Sequence, residues 1–331
     1  MNMHSDTPPF ARLTPDGILN AMESVGFRCD GRLLALNSYE NRVYQIGLDD
    51  GPMRVAKFYR PDRWSPAAIL EEHAFMQELA AADLPVVPPL ADADGVTLHE
   101  FDGYFFTVFA RQGGYAPEFD QDATLMRMGR QMGRLHAVGA LNPYQSRPTL
   151  DLETFGIEPR DYLLAHDFIP VELREAYSDV VEQALEEIRG CYERAGEIQL
   201  IRLHGDCYAG NVLWTEEGPH LVDFDDSRMG PAIQDLWMLL SGDREEMRAR
   251  IHPLLEGYET FYDFDPRELN LIEALRTLRL LHYAAWIARR WNDPAFPLAF
   301  PWFDSPRYWQ DRIQELREQV TAMQTPWFAC Q

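Results

Sequence analysis

The residues best suited to chemistry lie close together in the chain, where two aspartates and an asparagine form a spaced set. Asp206 follows His204 and Gly205, Asn211 comes five residues later, and Asp223 ends the next apolar stretch. A loop carrying Asp and Asn, followed by a β-hairpin that ends in Asp, would bring these oxygens together. Such oxygens suit Mg²⁺, a hard cation that completes its shell with water and phosphate. Mg²⁺ on phosphate oxygens, with a carboxylate that accepts a hydroxyl proton, is the minimal equipment for phosphoryl transfer.

A purely structural interpretation of these aspartates is also available. Any one of them is readily explained as a turn former, because Asp is enriched in turns for backbone reasons. The combination is harder to explain in that way. Asp223 and Asp225 alternate with apolar residues, and charges beside apolar strands are rarely kept without a partner or a metal. The pattern therefore favours a functional site.

The elements before residue 112 predict an α+β unit that would carry part of this site. A helix begins at Pro15 and a second one at Ser65-Pro66, and between and after them come strand-like stretches at 32–36, 42–48, 53–59, 96–101 and 104–109. Short turn sequences such as Asp102-Gly103 join neighbouring strands. We therefore predict a five-stranded antiparallel sheet with one inserted helix.

Helical patterns dominate after Gln112-Gly113-Gly114, which resembles a hinge. The predicted helices cover 122–139, 172–195, 231–241, 244–261, 266–291 and 306–323, and one β-like island lies at 199–203 and 220–226. The sequence thus predicts a β-rich nucleotide-binding lobe at 1–111 and a helical catalytic and substrate lobe at 112–331. A cleft between two lobes is a common ligand site.

Composition restricts the class of protein. The 331 residues carry 53 Asp and Glu against 30 Lys and Arg, a net charge of −23, and 46% of them are hydrophobic. The hydrophobic content excludes wholesale disorder. The negative charge argues against binding of nucleic acid, because nothing would offset phosphate repulsion. It permits a cationic substrate, or an anionic one accompanied by a metal ion.

Cysteine spacing and hydropathy indicate the cellular compartment. Cys29, Cys191, Cys207 and Cys330 lie far apart, with no C-x-x-C pair, so neither a zinc site nor a disulfide framework is predicted. No apolar run approaches the roughly 20 residues that a membrane span needs, and residues 1–9 are polar. We expect a soluble cytoplasmic protein that binds no membrane.

Several segments resemble a known family. The run from His204-Gly205-Asp206 to Asn211, followed by Asp223-Phe224-Asp225, resembles the catalytic loop and metal-binding segment of the aminoglycoside phosphotransferase/choline kinase superfamily. Residues 36–45, 57–61, 69–73 and 234–240 are similar to the bacterial stress response kinase A family, whose members are described as cytoplasmic Ser/Thr protein kinases of envelope and oxidative stress. The resemblance spans about residues 15–302. It implies a bilobal, protein-kinase-like fold with a small antiparallel-sheet N-lobe and a larger, mainly helical C-lobe.

The resemblance also implies roles for the residues of the motif. Asp206 would be the catalytic base or orient the acceptor hydroxyl. Asn211 and Asp223 would hold Mg²⁺ against the β- and γ-phosphates. Asp225 is a candidate second metal ligand, because it shares a strand face with Asp223 if the strand continues. His204 and Asp235 are expected to brace the catalytic loop.

On the nucleotide side, the resemblance and the strand pattern point to Lys57. This lysine is expected to contact the α- and β-phosphates, with Glu72 of the inserted helix as its partner and Glu71 as the alternative. Glu72 is preferred because it shares a helical stripe with residues that face the sheet. No G-x-G-x-x-G joins the first two strands, so Ser38 and nearby backbone N–H groups would contact ATP in a loop stiffer than a glycine-rich one.

The adenine ring is expected to lie against the backbone of residues 107–110, which include Val108 and Phe109. Val55 and Leu213 would be its apolar faces, although both are also plausible core residues. Tyr208 stands two residues after Asp206, where protein kinases carry a lysine. Stabilisation of the transferring phosphoryl group by that lysine must therefore be replaced or missing.

These residues are compatible with two kinase functions that differ in the class of acceptor, and with a third function without catalysis. The first is a monomeric protein Ser/Thr kinase that uses ATP and Mg²⁺ and phosphorylates a protein substrate, with the protein itself as one candidate. The second is a small-molecule kinase acting on an amino alcohol or sugar hydroxyl, which the short connection between Asp223 and Asp235 and the lack of an A-P-E signature favour. The third is a nucleotide-binding pseudokinase, against which the intact set of Asp206, Asn211 and Lys57 argues.

Overall fold

A computed structural model describes residues 8–327 of the chain, and Cys330 lies outside them. The described chain forms two compact units. The first contains the described residues up to Arg147 together with His204–Ser227 and Met238–Asp263, and the second contains Pro148–Leu203, Arg228–Trp237 and the described residues from Phe264 onward. The predicted lobe division at residues 111 and 112 stays a prediction.

The α-helices of the described residues are α1 (Pro15–Ser24), α2 (Pro66–Ala81), α3 (Asp122–Gly139), α4 (Glu158–Ala165), α5 (Val171–Ala195), α6 (Ile233–Trp237), α7 (Arg244–Tyr258), α8 (Ile272–Arg289), α9 (Ala295–Ala299) and α10 (Pro306–Met323). The strands are β1 (Cys29–Leu36), β2 (Arg42–Leu48), β3 (Arg54–Phe58), β4 (His99–Phe101), β5 (Tyr104–Ala110), β6 (Ile201–Arg202), β7 (Val212–Trp214), β8 (Pro219–Leu221) and β9 (Met229–Gly230). None of the described helices is long and apolar enough to cross a bilayer.

The first unit contains the predicted five-stranded sheet. Strands β1 to β5 pair antiparallel in the order β1-β2-β3-β5-β4, which confirms the α+β prediction. Strand β4 begins at His99 rather than at Val96. The reason is local, because Asp92 closes a turn: its backbone N–H donates to the Val96 carbonyl at 2.9 Å and its carboxylate accepts from the Val96 N–H at 2.9 Å.

The register of β3 separates a core face from a polar face. Ala56 and Phe58 are fully buried in a cluster with Ile18 and Met22 of α1. Side chains alternate along a strand, so Lys57 projects from the opposite face. Helix α2 begins at Pro66 with Ser65 as its N-cap, whose hydroxyl accepts from the Ala68 N–H at 3.2 Å.

Elsewhere in the first unit α3 packs closely on α7. A Cβ built on Gly129 of α3 would lie 2.0 Å from the Leu254 carbonyl oxygen, so only glycine permits this approach. His136 and Tyr258 join the two helices through a 2.9 Å hydrogen bond. Arg127 of α3 also reaches the turn between β7 and β8, where its guanidinium group donates to the Glu217 carbonyl.

Helices α5, α8 and α10 build the second unit, together with the short pair β6–β9. Tyr177 and Trp309 meet edge to face with ring centroids 5.6 Å apart, and Phe296 and Phe303 are fully buried. Most C-terminal aromatic residues therefore serve helix packing, as their spacing indicates. Trp302 is an exception, at 40% exposure.

Several predicted boundaries are wrong for identifiable reasons. The helix expected at 231–241 is only Ile233–Trp237, and the one expected at 266–291 begins with a 3₁₀ segment, Pro266–Leu271, before α8. Proline at a first turn supplies the right φ but no N–H, so the sequence signal did not distinguish a 3₁₀ start from an α start. Helices α4 and α9 were not predicted.

Candidate active site

The loop that carries Asp206 and Asn211 leads directly into the hairpin β7–β8 of the first unit. The Val222 N–H donates to the Asn211 carbonyl at 3.1 Å, which extends the hairpin and places Asn211 beside the segment leading to Asp223. The Asn211 side-chain amide donates to the Asp206 carbonyl at 2.9 Å and to its carboxylate at 3.3 Å. The structure thus brings Asp206 and Asn211 together, with the side-chain nitrogen of Asn211 bonded to Asp206.

His204 connects the two halves of this loop. Its Nε2 lies 2.9 Å from the Val222 carbonyl, and its Nδ1 lies 3.4 Å from the Asp206 N–H. Nε2 is therefore the protonated nitrogen, and Nδ1 accepts. The ring is fully buried, 4.5 Å from the ring of Phe224. This geometry suits an orienting role better than proton transfer. Asp235 is fully buried in α6 of the second unit, and its bracing role stays a prediction.

Gly205 is required where the loop turns. Its φ is +88°, and an added Cβ would lie 2.1 Å from the Asp226 carbonyl oxygen. A side chain at this position would both strain the backbone and collide with the neighbouring chain. The glycine of the H-G-D motif therefore permits the catalytic loop to lie directly against the segment that follows Asp223.

The strand predicted through residues 220–226 ends early. Strand β8 stops at Leu221, Asp223 takes a left-handed conformation (φ 61°, ψ 70°), and Phe224–Asp226 form a 3₁₀ turn. The expectation that Asp223 and Asp225 share a strand face is therefore wrong. The Asp223 side chain remains 53% exposed, whereas that of Asp225 is only 5% exposed. Non-glycine residues in this conformation cluster at functional sites.

Lys57 is the buried cation of the site. Its Nζ lies 2.9 Å from Asp225, 3.3 Å from Asp223 and 3.6 Å from Glu72. Burial alone would lower the pKa of Lys57, but the three carboxylates raise it well above its usual value. The ammonium group also lies over the Tyr59 ring, 5.0 Å from its centroid. Lys57 is therefore charged throughout the physiological pH range.

The structure distinguishes the two candidate carboxylates of α2. Glu72 is 1% exposed and faces Lys57. Glu71 points elsewhere and accepts backbone N–H bonds from Gln145, Ser146 and Arg147 at 2.7, 2.9 and 3.0 Å. The alternative partner Glu71 is thus wrong, because it anchors the 145–147 segment to the helix.

Arg147 is a residue that the sequence interpretation missed. Its side chain is fully buried and donates to the carbonyls of Ala68, Asp225 and Ser227 at 2.8, 2.9 and 2.7 Å, and to the Glu72 carboxylate at 2.6 Å. It therefore holds helix α2 against the turn that follows Asp223. No spacing rule could reveal it, because it lies 75 residues from Glu72 in the chain.

Asp225 was predicted as a second metal ligand. Its carboxylate pairs with Lys57 through one oxygen and with Arg63 through the other. These cations lower its pKa, in spite of a burial that would raise it. The carboxylate thus neutralises two cations in this structure. Its role as a metal ligand stays a prediction.

The loop at residues 37–41, called the phosphate loop below, joins β1 to β2. Arg60 holds it: its Nε donates to the Glu40 carbonyl at 3.0 Å and pairs with the Glu40 carboxylate at 2.9 Å, while its backbone N–H donates to the buried Asn41 side chain at 3.0 Å. Ser38 is half-buried in this loop. The predicted stiffness therefore has a physical basis in these bonds, although nucleotide contact by Ser38 stays a prediction.

The expected adenine wall has mixed properties. Val108 is 1% exposed, and its carbonyl accepts from the Leu90 N–H at 2.7 Å. The Val108 side chain is therefore closed to a ligand, and its carbonyl already has a hydrogen-bond partner. Phe109 pairs with Val55 across the sheet, and both are half-buried. Leu213 packs on the backbone of Gly114, where an added Cβ would lie 2.8 Å away. The contact of these residues with adenine stays a prediction.

A buried polar chain fixes α2 to the sheet behind Lys57. The His73 ring accepts or donates at both nitrogens, with Nε2 at 2.9 Å from the Tyr59 hydroxyl and Nδ1 at 2.8 Å from the Thr97 hydroxyl. Burial lowers the pKa of His73 to about 3, and Lys57 and Arg147 add to the effect. His73 is therefore neutral in the folded protein over most of the accessible pH range.

The neutral His73 predicts an acid-sensitive stability. Between pH 6.5 and 3 the unfolded chain binds a proton that the folded protein excludes, so the free energy of unfolding falls as the pH is lowered. From pH 7 to pH 5 this one group should cost about 2 kcal/mol. Urea unfolding of wild type and His73→Gln at both pH values should show the smaller loss in the variant. The same exchange at exposed His252 is the control, and equal losses in wild type and His73→Gln would contradict the assignment.

Comparison with proteins of known sequence and structure identifies the enzyme family and the fold of this chain. The profile of the phosphotransferase enzyme family matches residues 32–272. An amicoumacin kinase solved in complex with AMP-PNP, Ca²⁺ and Ami superposes with a TM-score of 0.73 over 96% of each chain, at 18% identity. That likeness confirms the kinase-like fold expected from the motifs.

Whole-chain relatives are more specific. Stress response kinase A of Escherichia coli K12 is 42% identical over 324 residues, 98% of each chain. A serine/threonine protein kinase RdoA of Salmonella typhimurium LT2 is also 42% identical over 98% of each chain. The protein therefore belongs to the stress response kinase A family of phosphotransferase enzymes.

Proposed function

We propose that this phosphotransferase is a Ser/Thr protein kinase that transfers the γ-phosphoryl group of ATP, with Mg²⁺, to a hydroxyl of a protein in a stress response. The observation that carries the proposal is the grouping of Asp206 with Asn211 and of Asp223 with Lys57 in one compact unit. The name of the Salmonella relative, a serine/threonine protein kinase, supports the protein substrate. The family resemblance supports a cytoplasmic enzyme. The proposal includes a monomeric state and counts the protein itself among the candidate substrates.

The donor set suits a magnesium ion. The Asn211 side-chain nitrogen is committed to Asp206, so its amide oxygen is the ligand atom on offer, and the Asp223 carboxylate is half exposed. Both are oxygen donors of the kind that Mg²⁺ selects while keeping several waters. Bound there, the ion would neutralise charge on phosphate oxygens. A family neighbour holding Ca²⁺ with an ATP analogue is consistent with the use of a divalent metal.

The residues of this chain would then divide the work. Lys57, held by Glu72 and Asp225, presents a fixed positive charge for the non-transferred phosphates. Asp206 accepts the proton of the attacking hydroxyl as its oxygen bonds to phosphorus and the bond to ADP breaks. Asn211 keeps the Asp206 carboxylate oriented through its 3.3 Å hydrogen bond.

A small-molecule acceptor is the second candidate, and two observations favour it. The solved neighbour at a TM-score of 0.73 is an amicoumacin kinase. Few residues separate Asp223 from α6, which begins at Ile233, so this connection has no room for a long activation segment. The two candidates share the same nucleotide chemistry and differ only in the acceptor.

A two-tube transfer assay tests the proposal. The protein is incubated with radiolabelled ATP and Mg²⁺, with a generic basic protein in one tube and a panel of amino alcohols and sugars in the other. Label in protein, abolished by EDTA, is expected because the acidic surface should attract basic segments. Label only in the small molecules would favour the second candidate. Tight ATP binding with no transfer to either would favour a pseudokinase.

A further inference from the structure

Arg63 lies between two segments that the proposed function places around the triphosphate. One of its terminal nitrogens contacts Asp225, and the other donates to Asp226 at 2.8 Å. The first also lies 3.4 Å from the Glu40 carboxylate of the phosphate loop. The guanidinium group therefore touches both the phosphate loop and residues 223–226, called the metal segment below.

These ion pairs are buried, so the loss of one partner should cost more free energy than it would at the surface. The side chains of Arg63, Glu40 and Asp225 are 12%, 11% and 5% exposed. Exposed ion pairs contribute little, but removing one partner of a buried pair leaves an uncompensated charge. The carboxylates raise the pKa of Arg63 further above its already high value, although burial opposes them. The charge at this point is therefore permanent.

The guanidinium shape matters as well as its charge. Three carboxylates from two segments surround one planar group, and a guanidinium group can bond two carboxylates along separate edges where an ammonium group presents a single point. The Arg63 guanidinium group also lies 5.2 Å from the centroid of the Trp64 ring. The Trp64 ring thus helps to fix the guanidinium group, and the fixed group in turn fixes the positions of the three carboxylates that it bonds.

A glycine-rich phosphate loop wraps its ligand through backbone freedom, whereas this loop contains Asn37, Tyr39, Glu40 and Asn41 around Ser38. The position of such a loop therefore depends on bonds to side chains of other segments. Arg60, just after the end of β3, bonds the carbonyl and the carboxylate of Glu40 in this loop. Arg63 bonds both this loop and the metal segment.

We propose that Arg63 is a positioning residue that sets the distance between the phosphate loop and the metal segment, so that Ser38 and Asp223 address the same triphosphate. The inference rests on the proposed function. Through Asp225 the same arginine also positions Lys57, whose Nζ lies 2.9 Å from that carboxylate. Arg63 itself touches no reacting atom.

The test compares ligands with and without phosphates. Arg63→Met should weaken binding of Mg²⁺·AMP-PNP at least about ten-fold and leave the affinity for adenosine unchanged, since only phosphate contacts depend on the loop position. Arg63→Lys keeps the positive charge but loses the planar group that bonds two carboxylates at once. Its affinity for Mg²⁺·AMP-PNP should therefore lie between those of wild type and Arg63→Met. Arg28→Met removes an exposed arginine that pairs with Asp50 at 2.7 Å, and it should bind both ligands as wild type does.

A double-mutant cycle tests whether Arg63 acts on nucleotide binding through Glu40. If Arg63 acts through Glu40, then Glu40→Gln should weaken Mg²⁺·AMP-PNP binding, and the double variant should be little worse than Arg63→Met alone. Additive effects, or an unchanged affinity in Arg63→Met and Arg63→Lys, would overturn the proposal. An equal loss of adenosine binding would overturn it also, because it would indicate general disruption.

The same experiments distinguish a failure of the proposed function from a failure of the positioning role of Arg63. If wild-type protein does not bind Mg²⁺·AMP-PNP, both the proposed function and this inference fall. If wild type binds and transfers phosphate while Arg63→Met is unaffected, only the positioning role is lost. Should Arg63→Met not fold, as thermal melting would reveal, Arg63→Lys and Glu40→Gln decide the matter through the same ligand comparison.

Discussion

Asp206→Asn is expected to lower kcat by about 10²- to 10⁴-fold, the usual contribution of general base catalysis. Asparagine is nearly isosteric and can still accept from the Asn211 amide, which lies 3.3 Å away, but it cannot take up the proton of the acceptor hydroxyl. The affinity for Mg²⁺·AMP-PNP should change little, because the loop is also fixed by the bond from Asn211 to the Asp206 carbonyl. Steady-state transfer assays and calorimetric binding measure the two quantities separately.

The matched control for this variant is Asp120→Asn, which makes the same exchange at an exposed position and should retain full activity. A near-wild-type rate in Asp206→Asn would show that the base has been assigned to the wrong residue. A loss of nucleotide affinity as large as the loss of kcat would instead show that Asp206 acts mainly in binding.

Lys57→Met is expected to damage both activity and stability. It removes the cation that faces Asp225, Glu72 and Asp223, so the buried carboxylates are left with less compensation. Since breaking a buried ion pair typically costs several kcal/mol and Arg63 and Arg147 remain, we expect the free energy of unfolding to fall by about 3 kcal/mol. The KM for ATP should rise and kcat should fall, because the phosphates lose a fixed positive charge.

A second substitution separates these two consequences. Lys57→Met/Glu72→Gln removes the cation together with one of its buried carboxylates. Arg147 loses its charged partner but keeps its bonds to the carbonyls of Ala68, Asp225 and Ser227, so part of the lost stability should return in urea unfolding. The activity should not return, because no charge has been restored beside the phosphates. Wild-type kinetic constants in Lys57→Met would contradict the proposed role, and recovery of both stability and activity in the double variant would show that the lysine serves folding alone.

Local sequence rules predicted the elements of the first unit well. Alternation of side chains placed Lys57 on the face of β3 opposite the core, and the Ser65-Pro66 signal marked the first turn of α2. The helical stripe that contains Phe75 and Met76 favoured Glu72 over Glu71, as the structure has it. These features depend on neighbours within one or two turns of chain, which the sequence displays directly.

The same rules failed at the segment after Leu221. Alternating apolar and acidic residues at 221–226 are typical of a strand, but the chain leaves the strand at Asp223 and turns. The turn is imposed from a distance, since Phe224 packs edge to face on Phe75 and Arg147 binds the Asp225 carbonyl. Tertiary contacts of this kind override a local periodicity.

The amino-acid sequence by itself determined the chemical identity of the site: the H-G-D loop, the asparagine five residues later, the lysine on a central strand and the family to which they belong. Only the tertiary structure decided how charge is balanced among them. Lys57 and Asp223 are 166 positions apart, and Arg147 and Glu72 are 75 apart. Coulomb attraction depends on separation in space, and no periodicity along the chain encodes which of the 30 basic and 53 acidic residues will meet out of reach of water.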